Sequence, residues 1–411
     1  MSRAAPYFSL GLPTRNRGDF AEQAVQFILD QKFQDFELVI ADSDESGDTL
    51  KRLQRFQDPR IQYHNTCGKT GPENFQFCAE QARGEYFLLL TDRVRLRPHA
   101  LEVLYQQSES KRYPSIRYHY DTFDGRQSPP KIWRPEYCGE NRLITADELL
   151  SQYVNGSAGA EVHRFMPLAQ FSAIHRGLME KIRGTQGRPM FAPIVPDMWC
   201  CFAQLSCCED QFLNLGQSLS VLVIQDGSAA ARFLLKNESG SRFLREISKN
   251  GELDMEHVPI KALLTNNMIY NDYFRAQKVY GGRLLNHPLL PATYFAGIHT
   301  NFGDSMKVGA NTRAEYREWK QALAQQPADV QKEVARRLSS GKSYAQMETS
   351  RLIKKVRYAL GINRLESSLK SLRRAKKKKS RPSFKTVAEY VAYDPGQNAA
   401  EPATHKKVMV L

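Results

Sequence analysis

The first hundred residues alternate short apolar runs with stretches whose apolar positions recur every three or four residues. Residues 7–12 are a continuous apolar run closed by Pro13, a pattern that predicts a buried strand. Asp19 and Glu22 then open a segment in which Phe20, Ala24, Phe27 and Ile28 share one face, which predicts an amphipathic helix. Residues 36–41 form a second strand, stopped by the polar run 42–48, and residues 60–64 a third. Residues 72–83 read as a helix with Phe75, Cys78, Ala79 and Ala82 on one side. Residues 85–90 are the most apolar strand of the chain, and a helix follows from Pro98 through Leu101, Leu104 and Tyr105. Strands that alternate with helices predict a mostly parallel α/β sheet covered by helices, of Rossmann-like type.

In such sheets ligands bind at the carboxyl ends of the strands. Three polar clusters fall there: Thr14, Arg15, Asn16 and Arg17 after strand one, Asp42, Ser43 and Asp44 after strand two, and Thr91, Asp92 and Arg93 after the apolar strand. Carboxylates and arginines at one edge suit a nucleotide diphosphate with or without a metal. The Gly-x-Gly-x-x-Gly fingerprint and the Gly-x4-Gly-Lys-Ser/Thr loop are both absent, which argues against NAD and P-loop chemistry.

Charge changes the picture less than its total suggests. The 411 residues carry a net +14, which taken whole suggests a polyanionic partner. Residues 351–381, however, hold thirteen Lys and Arg against one acid, Glu366, so +12 of the charge sits in one late segment. The body is near neutral and has no nucleic-acid recognition motif, so nucleic acid is not expected as a partner. With 41% hydrophobic residues the chain has enough apolar surface for a sizeable core, and no apolar run approaches membrane-spanning length. The start of the chain leads directly into the first strand, so no signal peptide is expected. Seven cysteines, including the adjacent pairs 200–201 and 207–208, fit neither a disulfide framework nor zinc-ligand spacing, and reduced thiols in a cytosolic protein are expected.

Residues 8–17, ending in Pro13-Thr14-Arg15-Asn16-Arg17, and residues 31–42, ending in Asp42, resemble the start of family 2 glycosyltransferases of the GT-A fold. Asp58-Pro59-Arg60-Ile61, Asn74, the segment 82–86 and the segment 97–102 keep that family's order and spacing, so the resemblance runs continuously over about residues 6–105. It implies a nucleotide-sugar site built from Pro13, Thr14, Asn16, Arg17, Asp42, Asp44, Asn74, Thr91, Asp92 and Arg93. In it Thr14 and Arg17 line the diphosphate and ribose and Asp42 contacts the base. Thr14 as a helix cap and Asp42 as a turn residue are the plain alternatives. The family carries Asp-x-Asp or Asp-Asp where this chain has Thr91-Asp92-Arg93, and one of those carboxylates binds Mn2+ or Mg2+ between the phosphates. Three readings follow: Asp92 alone holds the divalent metal, Arg93 supplies the positive charge by a bidentate phosphate contact, or activity is lost.

Residues 111–235 are less regular and read as an acceptor-binding half, after a nucleotide-sugar half over 1–110. Strands are expected at 115–120 and 213–224, a polar, Pro-rich loop over the site at 121–141, and helices at 176–183 and 200–205. An inverting sugar transfer needs a carboxylate base beside the acceptor, favourably placed at a helix start. Pro196-Asp197 precedes a helix and resembles a Phe-x4-Pro-Asp segment of family branches, which points to Asp197 as the base, with a helix cap as the plain alternative. Glu209-Asp210 is the competing pair, read as a turn. His64, His163 and His175 read as satisfied or surface histidines, His175 drawing notice because it starts a helix.

Residues 236–345 read as a helical appendage, with helices at 259–274 and 312–338, a break at Pro327 and a loop around 281–291, while the sequence leaves open whether Tyr294, His299 and Phe302 face the site. From 351 to 374 apolar residues recur mostly at three- or four-residue intervals between basic ones. Residues 346–381 are therefore expected to be a basic amphipathic helix, drawn to an anionic membrane surface or packed on the body, with a disordered tail over 382–411. The reading is an inverting glycosyltransferase of α/β GT-A fold with a helical C-terminal extension. It moves a sugar from a nucleotide diphosphate sugar, a UDP-sugar by resemblance, to a saccharide or lipid-linked acceptor in surface polysaccharide synthesis, at the inner face of the plasma membrane. The rivals are a nucleotidyltransferase and an inactive nucleotide-sugar or glycan binder.

Overall fold

The computed structural model describes residues 5–126, 128–134, 139–156, 164–192, 194–224, 253–307, 310–359 and 384–393. One ten-stranded sheet organises the N-terminal half, in the order β3-β2-β1-β4-β9-β6-β10-β5, with β7 added to β6 and β8 to β10. Its strands are β1 Phe8–Thr14, β2 Phe36–Asp42, β3 Ile61–Asn65, β4 Tyr86–Leu89, β5 Val94–Leu96, β6 Ser115–Asp124, β7 Lys131–Trp133, β8 Arg142–Thr145, β9 Ser172–His175 and β10 Gln211–Val223. The β3-β2-β1-β4 half is parallel throughout. Strand β9 enters antiparallel between β4 and β6, and β6 runs parallel to β10. This is the α/β sheet that the alternating pattern predicts.

The apolar runs are continuous because both faces of the sheet are covered. On one face Phe8, Leu10, Leu12, Leu38, Ile40 and Leu88 pack under α1 (Gly18–Leu29) and α4 (Ala100–Ser110). On the other, Val39, Ala41, Phe87 and Leu89 meet α3 (Gly71–Gln81) and a larger helical layer. That layer holds α5 (Ala146–Asn155), α6 (Arg176–Arg183) and α7 (Pro196–Cys207). Helices α8 (Thr265–Tyr280), α9 (Arg283–Asn286), α10 (Pro291–Lys307), α11 (Arg313–Ala324) and α12 (Ala328–Leu338) complete it, followed by α13 (Tyr344–Ala359). α7 is apolar nearly all round and is the buried helix of this layer.

Several expectations change. The polar run after β2 contains a helix, α2 (Asp48–Leu53), because the Asp44 carboxylate accepts the backbone N–H of Thr49 and anchors its first turn. The Pro-rich segment 121–141 is not a plain loop: β6 continues to Asp124 and pairs with β7 in a hairpin. Tyr294, His299 and Phe302 face no site, since they lie on α10 and are buried in the helical layer. Tyr294 Oη donates to Asn267 Oδ1 at 2.7 Å, and the His299 ring lies 5.4 Å from that of Trp319. The break at Pro327 separates α11 from α12 as expected.

The described part of the C-terminal tail holds a helix, α14 (Val387–Ala392), where disorder is expected from the sequence. Tyr390 and Val391 are buried against Phe123 and Val221. Arg97, Asp121 and Tyr390 form a buried polar knot: Arg97 Nη2 and Tyr390 Oη both donate to Asp121 Oδ2, each at 2.7 Å. Arg97 also donates to the backbone carbonyls of Tyr390, Val391 and Tyr393. Of the expected basic helix, α13 covers the beginning, with Leu352 and Ile353 exposed and Arg351 buried against Glu348, while residues 360–383 lie outside the described residues.

Candidate active site

Register brings the first two clusters together: Thr14 is the parallel partner of Asp42 at the carboxyl ends of β1 and β2. β4 is the other neighbour of β1, and Leu90 N–H donates to Gly11 O, so Thr91 and Asp92 emerge beside Thr14. Thr14 Oγ1 then donates to Asp92 Oδ2 at 3.3 Å. Arg17 reaches the same oxygen with Nε at 2.9 Å, from the loop that leads into α1. That loop turns through Asn16, an exposed residue at φ +52°, a conformation that asparagine adopts more readily than most residues. Pro13 lies within β1, paired with Ala41.

Asp42 is fully buried and accepts Tyr63 Oη at 2.8 Å and Asp44 N–H at 2.9 Å. Burial pushes its carboxyl above the ordinary range, against those two bonds. Asp44 differs. Burial raises it, but two bonds each from Ser46 and Thr49 overcome that and hold it down at about 2. All its bonds close the β2–α2 turn, so this carboxylate is structural. Asn74, on α3, donates to Ser43 Oγ at 3.0 Å.

Asp92 has no exposed surface. Burial raises its carboxyl, and Arg17, Arg93, Arg95 and Thr14 pull the other way. Arg95 is buried beneath and donates to Asp92 O at 2.6 Å. Arg93 is half-buried, and its guanidinium makes no side-chain hydrogen bond among the described residues. It lies within electrostatic reach of Arg17, Asp92, Asp197 and Tyr120.

Asp197 therefore belongs to the same locus. It occupies the first turn of α7 after Pro196. Val195 N–H, just before that turn, donates to the buried Asp272 Oδ2 at 2.8 Å and fixes the entry to α7. Gln170 Nε2 donates to Asp197 Oδ2 at 2.7 Å. The other oxygen, Oδ1, is buried without a partner. Burial pushes the carboxyl up to about 6, against the Gln170 bond and the Arg93 charge. A carboxyl that titrates there is a base at neutral pH with more proton affinity than an exposed aspartate. Tyr120 stacks on Phe171 beside it, ring centroids 3.8 Å apart.

Asn74 Oδ1, Thr91 Oγ1, Asp92 Oδ1 and Asp197 Oδ1 are buried with no hydrogen-bond partner among the described residues, as are atoms elsewhere in the fold such as Ser115 Oγ and Ser220 Oγ. Among the described residues no group of three His, Cys, Asp or Glu side chains stands ready for a metal ion. The donor set at Asp92 is a single carboxylate with one oxygen held by Arg17 and Thr14. A divalent ion there would face two guanidinium groups, so these residues do not suit one.

The competing residues serve elsewhere. Glu209 is exposed at the far end of α7, about 18 Å of helix from Asp197, and pairs with Lys181. His175 caps α6 by accepting Gly177 N–H at Nδ1. His64 lies edge-on to Phe77, and His163 is outside the described residues. Gln170 and Tyr120 are site residues that sequence reading missed. Gln170 is 27 positions from the carboxylate it holds, and no local pattern marks it.

Residues 9–164 match the family "Glycosyl transferase family 2". A curated relative, the GalNAc(5)-diNAcBac-PP-undecaprenol beta-1,3-glucosyltransferase of Campylobacter jejuni, is 36% identical over 107 residues, which cover 25% of this chain and 35% of that protein. The matched part thus spans about a third of the relative's length. Among solved structures, S. aureus TarS 1-349 in complex with UDP-GlcNAc aligns at a TM-score of 0.45 and 11% identity, over 86% of this chain and 92% of that one. The mannosyltransferase PcManGT from Pyrobaculum calidifontis, in complex with GDP-Man and Mn2+, aligns at 0.40 and 11%, over 86% and 87%.

Proposed function

We propose, from the match of residues 9–164 to family 2 glycosyltransferases, that the chain is a glycosyltransferase that transfers a sugar, with inversion, from a UDP-sugar to a saccharide or lipid-linked acceptor in surface polysaccharide synthesis. One observation carries the reading: the Arg93 charge interacts electrostatically with both Asp92, at the carboxyl edge of the sheet, and Asp197, at the start of α7. A leaving diphosphate and a base for the acceptor thereby share one site.

In this reading the nucleotide lies across the ends of β1, β2 and β4, with Asp42 toward the base and Thr14 and Arg17 toward ribose and diphosphate. Asp197 Oδ1 takes the proton of the acceptor hydroxyl as that oxygen bonds to the anomeric carbon. The bond from that carbon to the diphosphate oxygen breaks on the opposite face, and its electron pair leaves with the nucleotide. The relative named for an undecaprenol-linked substrate supports a lipid-linked acceptor. Among the described residues no helix is long and apolar enough to cross a membrane. The reading therefore brings such an acceptor within reach by peripheral contact of the basic segment 351–381 with an anionic surface.

The test is a panel of UDP- and GDP-sugars, measured by thermal shift and by donor hydrolysis. A UDP-sugar should raise the melting temperature and release UDP slowly. No shift with any nucleotide diphosphate sugar would remove the reading.

A further inference from the structure

We infer that Arg17 and Arg93 together bind the donor's diphosphate and take up the charge of the departing nucleotide, with Asp92 as the anchor of Arg17, in the position where the family resemblance implies a divalent ion. The inference rests on the nucleotide-sugar reading of the same edge and deepens it.

The geometry of Asp92 points this way. It pairs with Arg17, whose Nε lies 2.9 Å from Oδ2, and the terminal nitrogens of Arg17 make no hydrogen bond among the described residues. A guanidinium held at Nε keeps a planar pair of N–H donors for another anion. Arg17 is 36% exposed at the side chain while Asp92 is fully buried, so the charge that faces the site edge is the cation. Arg93 adds a second guanidinium without a hydrogen-bond partner. Its backbone is fixed on both sides, by Val94 N–H to Thr91 O and by Val223 N–H to Arg93 O, each at 2.9 Å. Arg17 and Arg93 bring two guanidinium groups to the Asp92 carboxylate, and guanidinium groups match phosphate oxygens in pairs.

In the transfer, the bond from the anomeric carbon to the β-phosphate oxygen breaks and both electrons stay on that oxygen, while the acceptor's proton goes to Asp197. The diphosphate gains one negative charge in that step. Arg93, whose charge interacts with both Asp92 and Asp197, can meet it, and no proton or metal needs to be delivered.

Binding of UDP, GDP and uridine to the full chain, measured by calorimetry in EDTA and in Mn2+, tests this. UDP or GDP should bind in EDTA, with Mn2+ changing Kd less than about threefold. Arg93→Gln should weaken diphosphate binding about tenfold or more while uridine binding holds, and Arg93→Lys should fall between. Asp92→Asn should keep most of the affinity, since an amide oxygen can still face the Arg17 guanidinium, whereas a metal ligand would not survive that change. Arg93→Asp, if folded by circular dichroism, should bind the diphosphate only with Mn2+. Wild-type binding that requires Mn2+, or an Arg93→Gln protein that binds UDP as the wild type does in EDTA, would overturn the inference and leave the nucleotide site standing. No binding of either diphosphate under both conditions would overturn the nucleotide-site reading and this inference with it.

Discussion

Gln170 Nε2 donates to one oxygen of Asp197 at 2.7 Å and leaves the other, Oδ1, buried with no partner among the described residues. The amide fixes the carboxylate's orientation and favours its ionised form, while burial favours the neutral one and wins, so the group titrates at about 6. A base must be deprotonated to act. Log kcat/KM should therefore rise with pH and level off above about 6. Gln170→Leu removes a bond that stabilises the anion, so its acid limb should move to higher pH. A pH profile with the limb unmoved and only the plateau lowered would assign Gln170 to packing alone.

Asp197→Asn should abolish transfer and leave UDP binding intact, and it should also stabilise the fold at high pH. The ordinary aspartate value is 3.8 and the folded value about 6, so folding favours the protonated form. That contribution is complete below the unfolded value and is lost as pH rises through the folded one. Above it the native state carries a shielded anion at a cost on the order of 1–3 kcal/mol. Thermal unfolding should show Asp197→Asn melting above the wild type near pH ~8, with the gap closing toward pH ~4. A lower melting temperature at the alkaline end would show that the carboxylate supports the fold.

The polar edge at the carboxyl ends of β1, β2 and β4 is legible in sequence because its geometry follows from strands alone. Parallel strands buried on both faces read as unbroken apolar runs, and the residues after them share an edge whatever lies between. The neighbouring positions of Thr14, Asp42 and Asp92 follow from that pattern. Asp197 was legible because Pro196 marks a helix start. An Asp at a strand end reads the same whether it binds a ligand or closes the next turn, and it is the four bonds of Asp44 to Ser46 and Thr49 that place it in the turn. α5 was missed despite a signal: Thr145 caps Glu148 N–H, and Leu149, Leu150, Tyr153 and Val154 follow on one face. Gln170, Arg97 and Tyr390 act on partners far away in the chain, and no local period encodes them.

The knot of Arg97, Asp121 and Tyr390 should be the main attachment of α14. Tyr390→Phe loses the hydroxyl bonds to Asp121 and Arg134 but keeps the ring, and should cost about 1–2 kcal/mol in denaturant unfolding. Asp121→Ala leaves Arg97 buried without its carboxylate and should cost about 3–5 kcal/mol. Equal small losses in both variants would show that backbone carbonyls alone satisfy Arg97.

Gly11 should be intolerant of even one added carbon, for a reason located on a single partner atom. It sits in β1 between Val39 of β2 and Leu89 of β4, on the face covered by α3. A Cβ built there would lie 2.7 Å from Cys78 Cβ and 3.0 Å from the Phe87 ring. Relief requires α3 to move outward, and α3 carries Asn74, whose amide holds Ser43 at the nucleotide edge. Gly11→Ala should then cost about 1–3 kcal/mol and weaken UDP binding as well. Because the close approach is carbon to carbon, Cys78→Ala should not rescue it. Cys78→Gly should recover part of the loss, less the roughly 1 kcal/mol that glycine costs inside a helix. A double-mutant cycle in denaturant unfolding reads the coupling. Rescue by Cys78→Ala would place the strain at the thiol instead of the backbone-fixed Cβ.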